Sequence, residues 1–64
     1  MTPEQIIEKI KNSRKAHLVY RLDGEVKATP ARTPAAESMS RYADVIGVYN
    51  LRAVPEMVAE DLSA

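Results

Sequence analysis

Ala16-His17-Leu18-Val19-Tyr20-Arg21-Leu22-Asp23-Gly24-Glu25-Val26-Lys27-Ala28-Thr29 is the stretch whose reading decides the fold. Ala16, Leu18, Tyr20 and Leu22 alternate with His17, Val19 and Arg21, the two-residue period of a half-buried strand. Asp23-Gly24 then signals a hairpin. A two-residue loop would set Tyr20 opposite Lys27 and Leu18 opposite Thr29, mixing polar and apolar groups on one face. A three-residue loop of Leu22-Asp23-Gly24, with Gly24 at the left-handed position of a G1 bulge, sets Arg21 opposite Glu25, Tyr20 opposite Val26 and Leu18 opposite Ala28. The second register leaves one face apolar and places Arg21/Glu25, Val19/Lys27 and His17/Thr29 on the other, so the pattern predicts it.

On the N-terminal side, Thr2, Pro3 and Gln5 spell a capping box with proline at the first helical position. Ile6, Ile7 and Ile10 follow as a narrow apolar stripe. Beyond the hairpin, Thr29-Pro30 is extended and Thr33-Pro34 opens a second helix, with Ala35, Met39, Tyr42 and Ile46 on one face. The apolar, β-branched run from Val45 to Leu51 predicts a third strand. Pro55 then starts a last short helix with Val54, Met57, Val58 and Leu62 as its apolar side, or residues 55–64 form a frayed tail. Residues 1–64 therefore read as one small α+β domain, a two-layer sandwich ordered α-β-β-α-β-α. Its three-stranded antiparallel sheet has the order 2-1-3, with the middle helix on the face of Leu18, Tyr20, Val26 and Ala28.

The chain has 64 residues, with nine basic and nine acidic side chains and no cysteine. A chain of this size buries only about 60% of the surface that its unfolded form exposes. No disulfide can staple it, and a single histidine without cysteine excludes a Cys/His zinc site. Good packing or self-association is the support that remains. No basic segment leads into an apolar stretch at the start, and the run Val45-Ile46-Gly47-Val48-Tyr49 is too short to cross a bilayer, so a cytoplasmic protein is expected. Net neutrality hides a gradient: residues 1–32 hold seven Lys/Arg against four Asp/Glu, and residues 33–64 hold two against five. Such asymmetry is the ordinary result of two solvated faces, and it also suits a basic end that meets an anion, or two copies packing head to tail.

Few residues point to catalysis. His17 is expected on the exposed face of its strand, with no nucleophile pattern around it. Glu56, Glu60 and Asp61 lie at the tail, where solvation is the expected role. Neither Gly24 nor Gly47 opens a helix as a phosphate loop would require. No enzyme activity, cofactor or metal is expected. Lys9, Lys11, Arg14 and Lys15 form the one basic run suited to nucleic acid, although it lacks the interleaved aromatics that stack on bases. The third strand carries the stronger signal. It lies at a sheet edge without lysine, proline or an expected bulge, and Val45, Val48, Tyr49 and Leu51 are the candidate protein contacts. Its occupant would be the tail from Val54 to Leu62, a second copy in a homodimer, or another protein adding a strand.

From Leu18 to Leu51, the order hairpin, helix, returning strand resembles that of very small phage-encoded inhibitors, such as the RNA polymerase inhibitor of T7-like phages and anti-CRISPR proteins. The resemblance implies a stoichiometric, non-enzymatic inhibitor or adaptor that binds a larger host protein in the host cytoplasm. The alternatives are a small nucleic-acid-binding regulator using the Lys9–His17 segment, or a self-assembling accessory protein.

Overall fold

The computed structural model describes residues 1–63, so Ala64, the last residue of the expected tail helix, lies outside the described residues. Helix α1 spans Pro3–Asn12, strands β1 and β2 span His17–Leu22 and Glu25–Pro30, helix α2 spans Pro34–Tyr42, strand β3 spans Asp44–Tyr49, and helix α3 spans Pro55–Ser63. The sheet has the expected order β2-β1-β3, with both pairs antiparallel. The α+β class and the element order follow the sequence pattern.

The hairpin register does not. Leu22 pairs with Glu25, Tyr20 with Lys27 and Leu18 with Thr29, so the loop has two residues. Asp23 and Gly24 take φ of 52° and 80°, the pair of positive values that a type I′ turn requires. The three-residue register rested on one sheet face being solvated, and both faces are covered. Val19, Val26 and Ala28 pack with Ile6 and Ile10 of α1 and with Val58 and Leu62 of α3. Leu18, Tyr20 and Leu22 pack with Ala36, Met39 and Ala43 around α2. Val26 and Ala28 thus lie opposite Leu18 and Tyr20, and helices flank the sheet on both sides. With no polar face to protect, turn chemistry sets the register.

His17 shares the face of Val19. It is 5% exposed, not the surface residue expected. Its Nδ1 lies 2.9 Å from the Lys15 carbonyl. A carbonyl only accepts, so this nitrogen carries the proton and donates it.

The helices form where capping predicts. In α1, the Thr2 hydroxyl accepts from the Gln5 N–H, and the Gln5 side chain accepts from the Thr2 N–H. The α2 cap is Thr33, whose hydroxyl accepts from the Ala36 N–H. The inner face of α2 is set by Ala36 and Met39, while Ala35 is exposed and Tyr42 is 78% exposed. The expected Ala35/Met39/Tyr42 face is therefore rotated. In α3, Val58 and Leu62 are buried, whereas Val54 and Met57, expected beside them, face solvent. The Arg21 guanidinium donates to the Leu62 carbonyl over 3.1 Å, placing a cation at the helix C-terminus, where the dipole favours it.

Strand β3 ends at Tyr49 instead of running to Leu51. Val19 pairs with Gly47 and Tyr20 with Val45, which leaves Ile46 as the extra residue of a β-bulge. The edge expected to lack a bulge thus has one.

Candidate protein-interaction surface

The bulge decides which side chains β3 presents. Without it, residues 45 and 48 would point to opposite faces. With it, Val45 and Val48 oppose Tyr20 and Leu18 and so share the α2 face. Asp44, Gly47 and Tyr49 oppose Arg21, Val19 and His17 on the α1/α3 face, and Ile46 packs into that core. Helix α2 covers Leu18 and Tyr20 but leaves the outer strand open. Val45 remains 42% exposed and Val48 59% exposed. A shallow trough between strand and helix is lined by Leu18, Ala36, Ser40 and Val48, among others. Tyr42 at the end of α2 and Leu51 in the turn after β3 are also exposed. Sequence reasoning placed Tyr42 inside the fold.

Tyr49, a candidate contact by sequence, points the other way. It is buried, and its hydroxyl donates to Asp61 Oδ2 over 2.7 Å. Burial first, then the hydrogen bond and the negative charge of Asp61, push its pKa up to about 12. Its ring folds back over Gly47, where an added Cβ would lie 2.8 Å from the phenolic oxygen. Only glycine leaves room for this placement. The tail does not cover the strand edge. Val58 and Leu62 of α3 lie on the sheet face with Val19 and Tyr49, and β3 is the outermost strand.

A second surface lies at the end of the sheet where β1 begins and β2 ends. Arg14, Lys15 and Arg32 line one concavity there, with Ala16, Pro30, Ala31 and Thr33. Among the described residues none of these three cations has an acidic partner; the ion pairs are Lys27–Glu25 at 3.8 Å and Arg41–Glu37 at 3.4 Å. Lys9 and Lys11 sit on the exposed side of α1 outside the concavity. Arg32, distant in sequence from the basic run, joins it because β2 returns antiparallel to β1.

The three strands align the charges along the sheet. Arg14, Lys15, Arg32 and Arg52 flank the end marked by the His17/Pro30 and His17/Tyr49 pairs. Asp23, Glu25 and Asp44 flank the opposite end, by the Leu22/Glu25 and Arg21/Asp44 pairs. This end-to-end polarity does not follow the two sequence halves, since Asp23 and Glu25 of the basic half lie at the acidic end, with Arg21 and Lys27 beside them, and Arg52 of the acidic half lies at the basic end.

Among the described residues, no three His, Asp or Glu side chains converge as metal ligands, and no helix is long and apolar enough to cross a membrane. No known protein family, curated protein or solved structure matches the chain.

Proposed function

We propose that this chain is a non-catalytic protein-binding module that engages its partner through β3 and the trough beside α2. The carrying observation is that Val45 and Val48 stand exposed on one face of the outermost strand. At about 25 cal/mol per Å2, covering such side chains favours docking, and an edge strand supplies main-chain hydrogen bonds to an added strand. The resemblance of the hairpin, helix and strand order from Leu18 to Leu51 to small phage-encoded inhibitors implies, for such a module, a stoichiometric inhibitor or adaptor of a larger host protein, acting in the host cytoplasm.

The test compares wild type with Val48→Lys as immobilised baits in host lysate, at low and high salt. The expected result is one protein held in fixed stoichiometry by wild type at both salts and absent from the variant. Capture that survives Val48→Lys would contradict the reading.

One observation favours a second reading, a nucleic-acid-binding regulator: Arg32 completes an unpaired basic concavity with Arg14 and Lys15. Phosphate contacts of this kind would give binding that weakens steeply with salt, with a log–log slope of about −0.9 per phosphate neutralised on duplex DNA. Fluorescence anisotropy with a labelled oligonucleotide separates the two readings. Binding lost in Arg32→Glu and retained in Val48→Lys would favour the second.

A further inference from the structure

The direction in which each β3 side chain faces forms a pattern with its own symmetry. Asp44 lies on the α1/α3 face, Val45 on the α2 face, Ile46 and Gly47 on the α1/α3 face, Val48 on the α2 face and Tyr49 on the α1/α3 face. This order is the same in both directions. The bulge at Ile46 creates the palindrome, because an unbulged strand of six residues alternates and reads oppositely from its two ends. Residues directly opposed in an antiparallel pair must share a face. The strand is therefore complementary to a second copy of itself over its whole length in one register.

We propose that β3 pairs antiparallel with β3 of a second copy, about a two-fold axis between Ile46 and Gly47. The proposal rests on the reading of β3 as the docking strand and names its occupant in the purified protein. Asp44 then opposes Tyr49 of the second copy, Val45 opposes Val48, and Ile46 opposes Gly47. The two sheets join as six strands in the order 2-1-3-3-1-2. Both α2 helices stand on the same side, and the paired valines form the floor of the trough between them. A shift of the pairing sum by one residue sets Val45 or Val48 against a residue of the other face. The registers two-fold about Val45 or Val48 pair only three residues.

Charge supports the same arrangement. The two-fold axis brings the Asp44 end of each sheet beside the turn from Asn50 to Arg52 of the other copy. Asp44 is exposed and has no ion pair among the described residues. Unlike ends within roughly a Debye length, about 10 Å at 0.1 M salt, attract. A parallel pairing would set like ends side by side. Such an interface is isologous and closes at two copies.

Sedimentation equilibrium from micromolar to millimolar protein tests the proposal, with circular dichroism melts to confirm folding. Wild type is expected to show a monomer–dimer equilibrium within that range. Val48→Lys should raise the dissociation constant at least tenfold with an unchanged melt, since Val48 is already exposed. Asp44→Lys and Arg52→Glu should each weaken the dimer, and the double variant should recover affinity, because two-fold symmetry pairs the swapped charges again. A wild type that stays monomeric at millimolar concentration, a dimer indifferent to Val48→Lys, or a double variant weaker than both single ones would overturn it. The lysate comparison fails separately: a monomeric wild type that still captures a partner through Val48 leaves the docking strand in place and removes only the second copy.

Discussion

Gly47 and Tyr49 act as one unit, since the ring occupies the space that any larger residue 47 would fill. Gly47→Ala should destabilise the fold by about 1–3 kcal/mol, the usual range for an overpacked core. The loss should shrink in a Tyr49→Ala background, and denaturant melts of the four proteins would measure that coupling. The hydroxyl of Tyr49 makes a separate contribution. Its proton is lost near pH 10 in the unfolded chain and near 12 in the folded one. The contribution is therefore full below pH 10 and disappears as pH rises to about 12. The stability difference between wild type and Tyr49→Phe should stay level up to pH 10 and narrow above it; a difference that widens there would contradict the Asp61 bond. Little of this was legible in the sequence. Gly47 reads as a weak point in a strand until the ring of Tyr49 is placed, and His17 looks exposed until the α1/α3 face is known to be covered.

At the scale of elements, the helices were the most legible feature, because caps are local chemistry. Thr2-x-x-Gln5 and Thr33-Pro34 each mark a helix start without reference to the rest of the fold. The hairpin register was less legible, since choosing it by face purity assumes that one face is wet. The uninterrupted apolar run Leu18-Val19-Tyr20 was the available signal that β1 is central and buried on both faces. Gly24→Val should destabilise by about 1–2 kcal/mol, the strain of a β-branched residue at positive φ. Asp23→Asn should leave the thermal melt nearly unchanged, since asparagine also suits the first position of this turn. Ile10 of α1, 2% exposed in the core that α1 and α3 share with the sheet, should cost about 2–5 kcal/mol on change to Ala. That is a large share of the stability of so small a domain, so Ile10→Ala is expected to be mostly unfolded by circular dichroism at room temperature.

Across the whole molecule, topology converts sequence into surfaces that no local pattern shows. The unequal sequence halves did not foretell the charged ends of the sheet, which mix residues of both halves and need the strand pairing to be seen. Arg32 joins Arg14 and Lys15 only once β2 has returned beside β1. Val45 and Val48 were correctly singled out as apolar residues of an outer strand. That they share a face, and that Tyr49 does not join them, follows from a bulge that composition does not reveal. The two sheet edges differ accordingly: β2 carries Glu25, Lys27 and Pro30, and β3 has Asp44 at its start and the bulge at Ile46, all features that blunt an edge, but no lysine or proline. Amide hydrogen exchange at low and high protein concentration tests the pairing of β3 with a second copy most directly. The outward amides of β3 should gain protection as concentration rises while those of β2 do not change. Equal exchange from both edges at every concentration would contradict the assignment of β3 as the strand through which two copies of this protein pair.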